Sequence, residues 1–144
     1  MYYLKRNERT ARMNNKTMGG RFEQDLCEIL SEYGFWSHNM AMNKAGQPAD
    51  IIAVRNGKAY LIDAKVCSND EFPLSRIEEN QTLAMELWKD RGNGQGWFAL
   101  KLNDKVYMLP HIMLKAYKNT QSKISAQEIH ECGTPIEKWV NKCK

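Results

Sequence analysis

A chain of 144 residues, 42% hydrophobic and 26% charged, is long enough to bury one core and reads as a single globular domain. No apolar run approaches the ~20 residues that span a bilayer, and Met1-Tyr2-Tyr3-Leu4-Lys5-Arg6 has no signal-peptide core, so a cytoplasmic protein without membrane contact is expected. The net charge of +4 is unevenly held: residues 1–21 carry Lys5, Arg6, Arg9, Arg12, Lys16 and Arg21 against Glu8, a net of +5, and the rest of the chain sums to −1.

A basic arm on a near-neutral body points to an anionic partner, and nucleic acid is the commonest one. Residues 1–18 read as that arm, polar and flexible, and 19–144 as one folded domain. After Gly19-Gly20, the residues Phe22, Leu26, Ile29, Leu30 and Tyr33 recur at helical spacing and predict a helix over 20–33, ended by Gly34. Glu23 falls at the margin of the apolar stripe, half turned toward whatever the helix packs on. An acid in a first turn suits the helix dipole; the same position lets it join an acidic site. Residues 37–47 form a loop or short strand that closes on Gly46-Gln47-Pro48.

The next segment is the most informative. Residues 50–55 and 58–65 both read as strands, and Asn56-Gly57 between them is a strong hairpin signal. A two-residue loop pairs 55 with 58, 54 with 59, 52 with 61, and so 50 with 63. Asp50 then faces Asp63, and Lys65 points to the same side as Asp63. Both faces of the hairpin are apolar, so helices are expected on both sides of the sheet. Facing carboxylates repel, and a divalent cation bridging them is the simplest compensation. Mg²⁺ prefers hard oxygen ligands of this kind, with water and phosphate completing its shell. Two acids and a lysine suit metal-assisted phosphodiester hydrolysis.

Residues 67–74 read as a loop. Ser75-Arg76-Ile77-Glu78 has capping-box spacing and opens a helix to about 90, with Ile77, Gln81, Ala84 and Trp88 on its packing face. Gln81 in that stripe needs partners for its amide; it either bonds backbone or positions a phosphate or water at the metal centre. Residues 91–96 form a flexible connector. A second hairpin spans 97–102 and 105–109 around Asn103-Asp104. Helix starts follow at Ser125-Ala126-Gln127-Glu128 and at Thr134-Pro135-Ile136-Glu137, the latter with Pro at the first helical position. Trp139 anchors the last helix to the core. The four cysteines form no C-x-x-C pair, and His130, Cys132 and Cys143 make at best a partial metal set, better read as a helix edge and a tail.

The order of Glu23, Pro48-Ala49-Asp50, Asp63-Ala64-Lys65 and Gln81 resembles the PD-(D/E)XK nuclease superfamily. Gly20-Arg21-Phe22-Glu23, the Arg76–Gln81 helix start and Val106-Tyr107-Met108-Leu109-Pro110 narrow the resemblance to RecU-like and archaeal-type Holliday-junction resolvases, with phage-borne relatives of the same layout. It covers roughly residues 19–115. It implies an α/β, restriction-endonuclease-like αβββαβ core, a mixed central sheet flanked by helices. It further implies Mg²⁺, with Mn²⁺ as a substitute, held by Asp50, Asp63 and the Ala64 carbonyl, with Glu23 completing the acidic cluster directly or through water. Lys65 would assist the attacking water or the leaving group, and Gln81 would support the centre. Arg9, Arg12, Lys16, Arg21, Lys44 and Arg76 are the candidate DNA contacts, and a homodimer acting on a four-way junction is expected. Only about a dozen residues separate Trp36 from Asp50, so the projecting stalk of RecU proteins is missing or much reduced. A second reading is a phage-type replication–repair or restriction-like nuclease acting on flaps or linear DNA. A third is a non-catalytic DNA-binding module on the same scaffold.

Overall fold

Two hairpins with left-handed turn residues start the sheet. Asn56 and Gly57 have φ of 53° and 77°, the backbone that a tight two-residue turn demands, and Asn103 repeats it at 56°. The computed structural model describes residues 15–40 and 49–143. Its elements are α1 (Asn15–Glu32), β1 (Trp36–Asn39), β2 (Ile51–Arg55), β3 (Lys58–Val66), β4 (Glu71–Pro73), a 3₁₀ turn (Leu74–Arg76), α2 (Glu79–Trp88), β5 (Trp97–Leu102), β6 (Lys105–Pro110), α3 (His111–Lys118), β7 (Lys123–Ser125), α4 (Ala126–Cys132), β8 (Thr134–Pro135) and α5 (Ile136–Lys142). The main sheet runs β1-β2-β3-β5-β6-β8; β3 and β5 are parallel and every other pairing is antiparallel. This is the expected mixed α/β architecture.

Helices cover both faces, as the doubly apolar hairpin requires. On one side Phe22, Leu26 and Leu30 of α1 and Ile136, Trp139 and Val140 of α5 pack on Ile51, Ala53, Ile62 and Ala64. On the other, Met85 of α2, Leu114 of α3 and Ile129 of α4 pack on Leu61, Phe98, Leu100 and Leu109. Trp139 is buried and stacked on Phe35 at 5.9 Å, with the edges of Tyr60 and Trp97 at 5.3 and 5.5 Å. It anchors the last helix, as its sequence position suggested. Among the described residues no helix is long and apolar enough to cross a membrane.

Several boundaries move. α1 begins at Asn15, so residues 15–18 of the expected arm are helical. It ends as expected: Gly34 takes φ 87°, and Phe35 N–H closes on the Leu30 carbonyl. The second helix begins at Glu79, because a 3₁₀ turn occupies Leu74–Arg76 first. Its cap is therefore Glu78, whose N–H donates to Gln81 Oε1 at 3.2 Å, and Met85 is fully buried where Ala84 was expected. Residues 71–73, expected in a loop, pair with residues 123–125 in a small second sheet. Pro135 lies one residue before α5, in the edge strand β8, while Ser125 and Glu128 form their reciprocal cap at 3.2 and 3.1 Å. The weighed metal set dissolves: His130 bonds Tyr107, Cys132 bonds Tyr117, and Tyr60 donates to the Cys143 carbonyl.

Candidate active site

The register of the first hairpin brings the acids together. Pairs 55–58, 54–59 and 52–61 form as the turn dictates, and the ladder ends at Ile51–Ile62. Asp50 lies one step beyond. Its own N–H donates to the Ile62 carbonyl at 3.2 Å, and its Oδ2 accepts from Ala64 N–H at 2.8 Å. The carboxylate thus takes the place of a backbone acceptor and is locked to the strand that carries Asp63. Asp50 is buried and Asp63 has no exposed surface at all.

Each oxygen of Asp63 has a different neighbour. Oδ1 accepts from Gln81 Nε2 at 3.1 Å, and Oδ2 lies 3.2 Å from Lys65 Nζ. Gln81 therefore does two things with one amide: its oxygen caps α2 and its nitrogen fixes the Asp63 carboxylate. A glutamine in an apolar stripe was the sequence signal that its amide has partners, and they are the Glu78 backbone and Asp63. Glu23 reaches the cluster from α1 through a hydrogen bond to Asp50.

Three acids and one lysine leave an excess of negative charge in a buried place. Asp63 is pushed up to about 8, first by burial and then by the Asp50 charge, against the opposing pull of Lys65. Glu23 is likewise raised to about 8, by burial and then by its hydrogen bond to Asp50 and the charges of Asp50 and Asp63. A metal-free centre of this kind holds protons; a divalent cation would displace them. The donor set fits a hard cation. Among the described residues no three His, Cys, Asp or Glu side chains stand in a ready-made ligand group. The side-chain donors then come down to the Asp50–Asp63 pair, which leaves positions for a carbonyl, water and phosphate, as Mg²⁺ prefers.

The raised values carry a sign. Both acids bind protons more tightly folded than unfolded, so their contribution is complete below the unfolded value near 4 and is lost as pH climbs toward 8. The melting temperature of the metal-free protein should fall between about pH 5 and about pH 8.5, and added Mg²⁺ or Mn²⁺ should restore more of it at the upper end. A flat or rising profile in chelator would show that these carboxylates do not share a buried centre.

Of the candidate DNA contacts, Arg76 is exposed and donates to the Val66 carbonyl at 2.6 Å, beside Lys65. Arg21 turns inward instead, with its side chain 10% exposed and its Nε 3.8 Å from Asp25. Lys16 falls within α1, and Arg9, Arg12 and Lys44 lie outside the described residues. Two features escaped the sequence reading, one on the surface and one buried. Leu83 and Leu87, one turn apart on α2, are 57% and 53% exposed. The buried His111, at the start of α3, has no hydrogen-bond partner on either ring nitrogen.

The family model described as archaeal Holliday junction resolvase (Hjc) matches residues 14–144. Among solved structures, that of Archaeoglobus fulgidus Hjc, a Holliday junction resolvase from an archaeal hyperthermophile, superposes with a TM-score of 0.67. It is 20% identical over 85% of this chain and 99% of its own, a likeness of fold. No curated protein matches the chain.

Proposed function

The chain belongs to the archaeal Holliday junction resolvase family, and from that premise we propose a Mg²⁺-dependent endonuclease, with Mn²⁺ as a substitute, that cuts four-way DNA junctions in the cytoplasm. The carrying observation is the burial of Asp50 and Asp63 side by side with Lys65 3.2 Å from Asp63. The metal would be held by Asp50, Asp63 and the Ala64 carbonyl. When bound it would polarise the phosphate and lower the pKa of water. The rest is the work of the chain. Ala64 N–H orients Asp50, Gln81 orients Asp63, and Lys65 supplies the positive charge next to the reacting phosphate. Glu23 holds a proton against Asp50 in the metal-free state and supports the cluster through it.

The test is cleavage of a labelled four-way junction beside duplex, flap and single strand, with Mg²⁺ and with chelator. Paired symmetric nicks on the junction alone, abolished by chelator, are expected. Metal-dependent cutting of flap or linear DNA instead would replace the resolvase by the replication–repair reading. No cutting with either metal would leave a DNA-binding module.

Two opposed strands must be cut, and the described residues of one chain hold one such cluster, so the working unit is a homodimer. The exposed Leu83 and Leu87 of α2, with Ile112 of the neighbouring α3 at 49% exposure, supply an apolar surface for the second copy. Leu83→Glu with Leu87→Glu should convert a dimer to a monomer in sedimentation and abolish paired nicking. A dimer that survives both changes lies elsewhere on the surface.

The N-terminal arm adds affinity without selectivity. Residues 1–14 contain Lys5, Arg6, Arg9 and Arg12. Their removal should weaken binding to junction and duplex alike and flatten the log–log salt dependence by about 0.9 per lost phosphate contact. An unchanged slope would mean that the arm does not touch DNA.

A further inference from the structure

Of the large apolar side chains among the described residues, Trp36 is the most exposed, at 65%. It stands on β1, the edge strand of the main sheet. Its indole stacks on the His38 ring, with centroids 6.1 Å apart and planes 12° from parallel. His38 is exposed as well. An indole left in water forgoes the free energy that its burial would supply. The pair is thus ordered ring on ring, with flat faces open to solvent.

The side of the sheet that carries the rings follows from Ser37 between them. Its hydroxyl donates to the Cys27 carbonyl of α1 at 3.2 Å, so Ser37 faces α1 and the two rings face away from it. The register carries that side across the sheet. Trp36 lies opposite Val54, and Val54 opposite Ala59; His38 lies opposite Ile52, and Ile52 opposite Leu61. Leu61, Asp63 and Lys65 share one side of β3 by period two. The rings therefore lie on the face of the sheet that holds Asp63 and Lys65. Met40 N–H donates to the Asp50 carbonyl at 2.8 Å, which sets the chain just past β1 beside the acids. Trp36 is four residues back from there, roughly 13 Å at about 3.3 Å per residue. Between Trp36 and the Asp50–Asp63 pair, that face of β1, β2 and β3 carries no carboxylate to repel DNA.

The chemistry of the occupant follows from the rings. Every base has a π-face, so exposed aromatic rings take bases by stacking, without hydrogen-bond readout. The area suits one base. It falls far short of the ~800 Å² that each partner buries in a stable protein interface, which argues against a second copy along β1. Bases inside a duplex are already stacked on one another. Those at a branch point, where strands change partners, lose a neighbour and are free to stack on a protein ring.

We propose that Trp36 and His38 form a stacking platform for one unpaired nucleobase of the DNA, about four base steps of 3.4 Å from the phosphate at the Asp50–Asp63 pair. The inference rests on the junction-cutting reading of that pair and adds a positioning residue to it. A branch-point base stacked on Trp36 fixes how far from the branch the strand is cut.

The first test needs no cleavage. The full chain is titrated, in chelator, into a duplex with one unpaired 2-aminopurine and into its fully paired counterpart. A saturable change in emission is expected from the unpaired base. Trp36→Ala should weaken that binding about tenfold or more, by loss of one base–aromatic stack. Trp36→Phe should retain most of it, and binding to the paired duplex should be unaffected. The indole is outside the core, so the alanine variant keeps the fold. The second test maps the cut positions on a four-way junction with Mg²⁺. Trp36→Ala should spread them over neighbouring phosphates, and Trp36→Phe should narrow them again, a pattern that a merely structural role would not produce. A wild-type chain that binds the unpaired base through Trp36 and cuts no junction removes the resolvase reading and keeps the platform. Weakened base binding with unchanged cut positions overturns the positioning role. A base response unchanged in Trp36→Ala overturns the platform itself, and a loss of dimer in sedimentation by that variant would then assign the edge of β1 to a second copy.

Discussion

Asp63→Asn should cut junction cleavage by about 10²–10³-fold, the scale on which one well-placed electrostatic group acts on a transition state. It should also raise the stability of the metal-free protein at alkaline pH. Both effects come from one position. Asp63 is wholly buried, and its charge is opposed by Asp50 and only partly offset by Lys65. Asparagine keeps an oxygen for the Gln81 amide but removes the charge that a cation needs. Above about pH 8 the wild-type carboxylate is ionised against its burial, so the neutral replacement should melt higher there and show little advantage near pH 5. Junction binding should persist, because the basic contacts are untouched. A variant that cuts at the wild-type rate would move the catalytic centre elsewhere. A variant that loses cleavage and also loses stability at high pH would make Asp63 a structural residue, held for its bonds to Gln81 and Lys65.

The centre was legible where local geometry fixes it. Asn56-Gly57 sets the register, the register sets Asp50 against Asp63, and period two sets Lys65 beside Asp63. The arithmetic reached as far as the ladder did. Past Ile51 the chain departs from simple facing, and Asp50 bonds the Ala64 N–H, a detail that needs the strand end in three dimensions. The start of α2 shows a subtler limit. Ser75-x-x-Glu78 and Glu78-x-x-Gln81 both have cap spacing, and the 3₁₀ turn at Leu74–Arg76 decides for the second. The β4–β7 pair was invisible because three-residue strands some fifty positions apart carry no local signal. Arg21 looked like part of the basic arm, yet α1 extends to Asn15 and turns its guanidinium toward Asp25. The short link from Trp36 to Asp50 departs from the stalk-bearing RecU pattern, and the family model that matches the chain is that of the archaeal resolvases.

Trp139→Ala should give the largest loss of stability, about 3–5 kcal/mol for a buried aromatic truncated to alanine. Against a total of about 5–15 kcal/mol for a typical domain, that is enough to unfold much of the population on mild warming. The indole is 2% exposed and touches three other rings, from Phe35 after α1, Tyr60 on β3 and Trp97 on β5. It therefore ties the last helix to both ends of the chain's core. Arg55 adds a second tie through the Val140 carbonyl, which does not replace the lost apolar contact. Trp139→Phe should retain part of the stacking and cost less. The catalytic consequence distinguishes this residue from Asp63. β3 presents Tyr60 and Ile62 to α5 and α1, and Asp63 and Lys65 to the opposite side, so loosening α5 removes the backing of β3 without touching Asp63 or Lys65. Trp139→Ala should cut junctions at a near-normal rate in the cold and lose activity as it melts, whereas Asp63→Asn should be impaired at every temperature. Loss of cleavage by Trp139→Ala while circular dichroism still reports a folded protein would mean that α5 sets the geometry of the active site as well as the stability of the fold.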